Sequence, residues 1–488
     1  MSDRIWLEIK ELFGERATTE LFERRFYQRD VAPVPDFLVN SLARTLPDIV
    51  VRPVNAAEVA AVVRLAAREG IPVTGRAGGS TVYFNSVCVR QGILVDLNGL
   101  TGILQVDRAV NCVRVAAGTS WSELERELNR QGLAVCAYPS SAPSATVGGW
   151  LAMMGYGLGT LKYGNLVDQV VAAQVVLPDG RLEELTADTP VPLDWLAGSE
   201  GTLGLITAVA LLVRPLPETQ WHGLAACRDA QALQAFIEQA VRLPEKPFNL
   251  HFSDPACNKL RYRLGAGDAA AAGFYTVAFD ADGTAAQTES AARGFAACLT
   301  KAGAADFSAA AAEEWEQRFF SLLLKREGPS LLGAELWLPI ERLAAYLTDI
   351  DQYGQRQQLG LKTYGHVASA GHAMVMTMFN ADERNTVAYL QGLAMVKKLH
   401  DIGARHGAAP YGTGLWNTSY LPRSYSKEEL TERRRRKKLL DPKEIMNPGK
   451  LYYAPLPLRA PLFGLGMDVL AASRAVYQGG NRHERQLL

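Results

Sequence analysis

The chain is poor in cysteine and has no excess of either charge. Its six cysteines, Cys88, Cys112, Cys136, Cys227, Cys257 and Cys298, are scattered, with no CxxC pair and no spacing suited to zinc or an iron–sulfur cluster. An internal metal-cluster electron relay is therefore not expected. Lys plus Arg equals Asp plus Glu at 51 each, so no overall field draws nucleic acid or an acidic membrane. The basic run Arg433 to Lys438 follows Glu428, Glu429 and Glu432 on what reads as one helix, and is taken as a solvated charged face. No apolar run is long enough to span a bilayer, and the opening residues, MSDRIWLEIKELFGERATTELF, lack the apolar core of a signal peptide. A cytoplasmic protein is expected, with docking at the inner face of a membrane left open.

What the chain does have is length for two or three domains, at 488 residues with 48% hydrophobic side chains. It also has a stretch rich in small residues, Ser140 to Val170, SSAPSATVGGWLAMMGYGLGTLKYGNLVDQV, with little formal charge before Asp168. Glycine has no Cβ to hold a ligand away, so such a run suits a backbone that lies against a large flat molecule. Upstream, Ile49 to Pro53 reads as a strand and Asn55 as the N-cap of a helix over Ala56 to Glu69. A strand at Ile71 to Thr74 then runs into the turn Gly75 to Thr81, where bare amides can meet a phosphate and Arg76 can supply charge. Adjacent glycines exclude a Rossmann GxGxxG, and no GK[ST] follows to make a Walker loop. Further strands are expected at Gly92 to Leu97, Val113 to Ala117, Val170 to Leu177 and within Gly201 to Val213, and a helix at Trp121 to Gln131.

Four segments carry a family resemblance in register. They are Pro72 to Thr81 (PVTGRAGGST), Ser140 to Gly164, Gly198 to Thr207 (GSEGTLGLIT), and Asp441-Pro442 to Asn447-Pro448-Gly449-Lys450. Together they resemble the flavoproteins of the vanillyl-alcohol-oxidase and p-cresol-methylhydroxylase superfamily, closest to glycolate-oxidase large subunits and flavin-linked D-lactate dehydrogenases. The resemblance runs from about Tyr27 to about Lys450. It implies an α+β, two-domain flavin-oxidase fold with an FAD-binding domain over 1–217, a cap over 218–425, a return to the FAD domain over 426–455, and a C-terminal extension over 456–488. FAD would be held by Arg76, Ala77, Gly78, Gly79, Ser80 and Thr81 in the diphosphate loop, and by Pro139, Ser140, Ser141, Thr146, Gly148, Gly149, Gly155, Tyr163 and Gly164. Glu200, Gly201, Gly204, Ile206 and Asn447 would complete the site. No histidine stands at the usual strand position near Ala334, so noncovalent FAD is expected.

The resemblance further implies oxidation of a CH–OH group, which needs a proton acceptor and a substrate anchor beside the flavin. Relatives that oxidise 2-hydroxy acids bind a metal through GHxGDGNxH and EHG. Here Gly365 to Ala373 keeps His366, His372 falls one position short, and Pro410-Tyr411-Gly412 stands where Glu-His-Gly would, so no metal site is expected unless a bulge brings His372 in. Tyr411 to Thr418 (YGTGLWNT) instead resembles the GxGxYRT segment of the phenol-oxidising branch. The candidates are His366 as base or proton relay, Tyr411 and Asn417 on the substrate face, and Arg318 as a carboxylate anchor, with the relatives' partner lysine replaced by Gly333. A satisfied core histidine and a helix-surface arginine remain the alternatives. The expected function is an FAD-dependent dehydrogenase of a D-2-hydroxy acid that passes electrons to an iron–sulfur protein, an electron-transfer flavoprotein or a quinone. A phenolic or benzylic alcohol oxidoreductase and a flavin electron-relay subunit stay open, as does homo-oligomerisation. The apolar face from Leu462 to Tyr477 reads as a docking element or a strap.

Overall fold

The computed structural model describes residues 2–35, 44–265, 270–453 and 464–471. Three sheets organise them. The first holds four strands in the order Ala17–Thr18, Ile49–Val51, Ile93–Asp96, Val73–Arg76, the last three parallel. Helix Ala56–Glu69 connects two of these strands. Its Asn55 side chain accepts from the Glu58 amide at 2.9 Å, a cap worth about 1 kcal/mol, and Gly70 closes it at φ +66°. Apolar residues at helical spacing, Val59, Val62, Val63 and Ala66, bury against Val51, Val73 and Val95.

The second sheet is antiparallel and built on the long strand Leu205–Pro215. That strand pairs with Cys112–Ala116, Val170–Val176 and Leu133–Val135. The β-rich stretch expected from Gly201 begins only at Leu205, because Glu200 and Gly201 turn the chain at φ +51° and +73°. Trp121, Trp150, Val175 and Val209 fill its core.

Eight antiparallel strands form the third sheet, in the order Ala305–Asp306, Thr219–Cys227, Tyr275–Gly283, Asn249–Ser253, Lys362–Val367, His372–Ala381, Ser330–Pro339, Ala409–Pro410. Period-two alternation decides which way its side chains point. On Ser330–Pro339, Leu332, Ala334, Leu336 and Leu338 bury in one core with residues of the helices Ala230–Ala240, Ala285–Ala302, Leu343–Gln357 and Thr386–Arg405. The other phase, including Glu335, faces the opposite side. The alanine-rich stretch from Ala269 thus resolves, where described, into a strand and a well-capped helix.

Residues 441–450 return to the first sheet: the Val73 amide donates to Ile445 O at 2.8 Å and the Asn447 amide to Val73 O at 2.7 Å. The basic helix Lys427–Leu440 that leads there corrects one expectation. Most of its charges are solvated, but Lys437 is 2% exposed and donates to Asp441 Oδ2 at 2.5 Å, Thr202 O at 2.8 Å and Met446 O at 2.8 Å. Buried charge persists only when paired and hydrogen-bonded, and this lysine is both.

Of the expected C-terminal apolar stretch, 462–463 and 472–477 lie outside the described residues. Residues 464–471 are a helix whose Met467, Leu470 and Ala471 pack on the core behind the third sheet. Asp468 on it pairs with Lys397 at 3.0 Å and Lys398 at 3.1 Å.

Candidate active site

A cavity of about 680 Å³ lies between the glycine-rich loops and the inner face of the third sheet. Its first wall is the turn Gly75 to Val82 at the end of strand Val73–Arg76. Gly78 allows the closest approach: a Cβ there would lie 1.9 Å from Ser144 O, so only glycine lets this turn touch the loop Pro139 to Thr146. Gly79 takes φ +58°. Arg76 is 9% exposed, lines the cavity and donates to Arg29 O at 2.6 Å. Asp30 fixes the far side of the turn by accepting from the Phe84 amide at 2.7 Å, and burial pushes its carboxyl up to about 6.

The second wall carries Pro139, Ser140, Ser141, Thr146, Gly148, Gly149, Glu200, Gly201, Gly204 and Ile206, all of which line the cavity. Gly148 needs no side chain because its Cβ would fall 2.5 Å from that of Ala117. Two facing loops rich in glycine and small side chains, a guanidinium at their edge and about 680 Å³ between them fit a large, flat, phosphate-bearing ligand such as FAD.

Other expected FAD contacts stand elsewhere. Gly155 lies under Trp150, whose Nε1 would be 1.7 Å from an added Cβ, so it supports the wall from behind. Tyr163 stacks under Arg214 at 5.1 Å and near Phe248 at 6.4 Å, and Gly164 turns beside Asp168. Lys162 meets Glu245 at 2.9 Å while Arg214 meets Asp282 at 2.6 Å, so this segment ties the second sheet to the third rather than lining the cavity. Asn447 sits behind the wall, donating to Asn85 O at 2.9 Å and Glu200 O at 2.6 Å. Lys450 joins it, donating to Asn447 Oδ1 at 2.6 Å, and burial brings the amine down to about 7. The Glu200 carboxyl, pushed up to about 7 by burial, accepts from the Gly414 amide at 3.0 Å.

The third sheet closes the cavity with Glu335, Tyr364, Met374 and Met376, joined by Tyr83, Tyr156 and Tyr411. Tyr411 lines it as expected, and its hydroxyl accepts from the Tyr156 amide at 2.9 Å. The other expected reactive residues do not line it. His366 is buried, its Nδ1 lies 3.4 Å from His251 Nδ1, its Nε2 has no partner, and burial lowers it to about 4. Strands Lys362–Val367 and His372–Ala381 pair without a bulge, and the His372 ring stacks on Trp337 at 5.2 Å, so the two histidines do not converge. Among the described residues, no group of three His, Cys, Asp or Glu side chains could hold a metal ion. Asn417 donates to Gly412 O at 2.7 Å and lines an adjoining chamber of about 180 Å³, with Leu332, Leu393 and Trp416, that shares Tyr83, Glu335 and Met376 with the main cavity. Arg318 lies over the rings of Trp315 at 4.2 Å and Phe319 at 4.3 Å. Arg326, eight residues further on, lines the cavity from an exposed position.

Glu335, Tyr83 and Arg326 were missed by the motifs. Tyr83 Oη donates to Glu335 Oε2, and burial pushes the carboxyl up to about 7. A lone charge at the outward phase of the apolar strand SLLGAELWLP was the available signal.

Residues 47–186 match the FAD binding domain family, and residues 216–451 match the family of FAD linked oxidases, C-terminal domain. The chain belongs to the FAD-linked oxidoreductases. A D-lactate dehydrogenase of Anaerostipes hadrus is 27% identical over 450 residues, covering 86% of this chain and 93% of that protein. Glycolate oxidase subunit GlcD of Bacillus subtilis (strain 168) is 26% identical, covering 84% and 90%. Among solved structures, p-cresol methylhydroxylase with substrate bound has a TM-score of 0.77 at 14% identity, covering 93% and 98%. These likenesses establish a two-domain flavoprotein of mixed helices and sheets, with FAD as cofactor, in the vanillyl-alcohol-oxidase fold. Among the described residues, no helix of this FAD-linked oxidoreductase is long and apolar enough to cross a membrane.

Proposed function

We propose that this FAD-linked oxidoreductase is a dehydrogenase that oxidises the CH–OH group of a D-2-hydroxy acid and hands the electrons to a partner protein or a quinone. The observation that carries the reading is a single cavity with two glycine loops at one end and, at the other, hydroxyl-bearing side chains with a guanidinium at the rim. The names of the D-lactate dehydrogenase and glycolate oxidase relatives support the substrate class.

Bound FAD supplies the two-electron oxidant. Gly75 to Thr81, with Arg76, would hold its diphosphate, and Ser140, Ser141, Thr146, Gly148 and Gly149 would lie along it, with Gly204 and Ile206 further along the same wall. Arg326 is the anchor for the substrate carboxylate in place of Arg318, because a guanidinium forks onto a carboxylate only where the two can meet. Tyr83, Tyr364 and Tyr411 exclude bulk water from the reacting carbon and offer hydroxyls to its oxygen.

A second reading, oxidation of a phenolic or benzylic alcohol, is favoured by one observation: four tyrosines, Tyr83, Tyr156, Tyr364 and Tyr411, line the cavity together. Anaerobic addition of 2-hydroxy acids and phenolic alcohols to the FAD-loaded protein separates the two. Bleaching of the flavin bands by a D-2-hydroxy acid is the expected result; bleaching by phenolic alcohols alone would reject it in favour of the second reading. A flavin that no donor in the panel reduces would reject both and point to an electron-relay subunit.

A further inference from the structure

Glu335 is a carboxylate on the cavity wall. Among the described residues no lysine or arginine forms an ion pair with it, and its hydrogen bond comes from Tyr83. It keeps some accessible surface where it faces the cavity, yet lies deep within the protein. An ionisable group held there is costly, and a glutamine would take the same hydrogen bond without that cost. Glu200, the other carboxylate on the lining, differs because it is occupied by the Gly414 amide and belongs to the lattice around Asn447 and Lys450.

The surroundings also aim Tyr83 at Glu335. A Cβ at Gly412 would lie 2.3 Å from the Tyr83 ring, and one at Gly414 would lie 2.0 Å from Tyr83 O. The Leu415 amide donates to Tyr83 O at 2.7 Å. Both glycines of the YGTG segment are thus explained by the passage of Tyr83 across them, which carries its hydroxyl to the sheet.

We propose that Glu335 is the general base of the oxidation and that it receives the substrate proton through the Tyr83 hydroxyl. This rests on the reading of the cavity as a CH–OH oxidation site. The substrate O–H bond breaks and its proton passes to Tyr83 Oη, as Tyr83 passes its own to Glu335 Oε2. Bound FAD would supply the two-electron oxidant that accepts the hydride of the carbinol C–H, so that the C–O bond becomes C=O. The proton on Glu335 then returns to solvent through the cavity.

Tyr83 and Tyr411 are the titratable groups that interact with Glu335, while Tyr156, Tyr364 and Arg326 line the same cavity and Lys325 lines the chamber beside it. Burial holds Tyr83 and Tyr411 protonated well above neutral pH. Glu335 and Glu200 are both held up to about 7 by burial, and of the two only Glu335 takes its hydrogen bond from a phenol on the cavity wall, so loss of the pH-dependent rise in Glu335→Gln is what distinguishes them.

The test uses FAD-loaded wild type, Glu335→Gln, Glu335→Asp and Tyr83→Phe, mixed anaerobically with whichever 2-hydroxy acid or phenolic alcohol bleaches the wild type. The limiting rate in wild type should rise with pH through about neutrality and level off above, whereas Glu335→Gln should fall by about 10²–10⁴ with no such rise. Glu335→Asp should recover part of the loss, and Tyr83→Phe should share it. A second readout needs no turnover: infrared difference titration of wild type against Glu335→Gln should reveal a protonated carboxyl that loses its proton near neutral pH. A Glu335→Gln rate within about threefold of wild type overturns the proposal while leaving the CH–OH reading intact. If no donor bleaches the wild type, the reading itself falls and takes the proposal with it. Should Glu335→Gln fail to hold FAD, a pH-independent reduction rate in wild type, or an unimpaired Tyr83→Phe, overturns it instead.

Discussion

The Tyr83 hydroxyl donates to the Glu335 carboxylate across 252 residues of sequence, joining the loop beyond the Gly75 to Thr81 turn to the inner face of the third sheet. This bond places an ionisable pair in the cavity wall and depends on the bare backbone of Gly412 and Gly414.

Gly414→Ala therefore should damage the site without touching it. The position has φ +51° and its new methyl would meet Tyr83 O, so we expect a loss of about 1–3 kcal/mol in stability and a displaced Tyr83. Thermal unfolding together with flavin reduction checks this; wild-type values for both would contradict it.

Glu335 makes stability depend on pH. Its folded value of about 7 lies above the unfolded value of about 4.3, so its contribution is fully present below pH ~4.3 and is lost as pH rises to ~7. Relative to wild type, Glu335→Gln should thus gain on the order of 2–3 kcal/mol between those limits. Denaturant melts at pH 5 and pH 8 measure the difference, and an unchanged gap would mean that the carboxyl is not held in this way.

The two arginines should separate cleanly. Arg326→Ala is expected to lower kcat/KM for a carboxylate donor by about 10- to 100-fold, the cost of a charged hydrogen bond. Arg318→Ala should instead cost about 1 kcal/mol of stability by removing the cation from Trp315 and Phe319, with KM nearly unchanged. The reverse pattern would restore Arg318 as the anchor.

His366→Asn should keep the flavin-reduction rate within about threefold, because the ring lies beside His251 and outside the cavity lining, where burial keeps it neutral. A loss of about 100-fold or more would return it to the mechanism.

The difference between what could and could not be read in the chain is one of range. The helix over Ala56 to Glu69, the turn at Gly75 to Thr81 and the small-residue loops are local: caps, periodicity and glycine spacing report them directly. Tyr163 and Gly155 were placed with the ligand because they share a motif with residues that line the cavity, yet their side chains or backbones serve the neighbouring sheet and Trp150. Lys437 looked solvated within a basic run, and only its approach to Asp441 and Thr202 shows otherwise. Glu335 and Tyr83 were invisible to motif reading because neither has a local partner. Arg318 was assigned by position in a pattern, whereas the assignment depends on which side chain reaches the cavity, and there Arg326 stands.

The proposed reaction at this cavity is oxidation of a D-2-hydroxy acid with FAD. The most direct test is an anaerobic spectrophotometric titration of the FAD-loaded protein with D-lactate and longer D-2-hydroxy acids. Stoichiometric loss of the flavin bands with formation of the 2-oxo acid is the expected result. A flavin left oxidised by all of them, or bleached by phenolic alcohols alone, would contradict it.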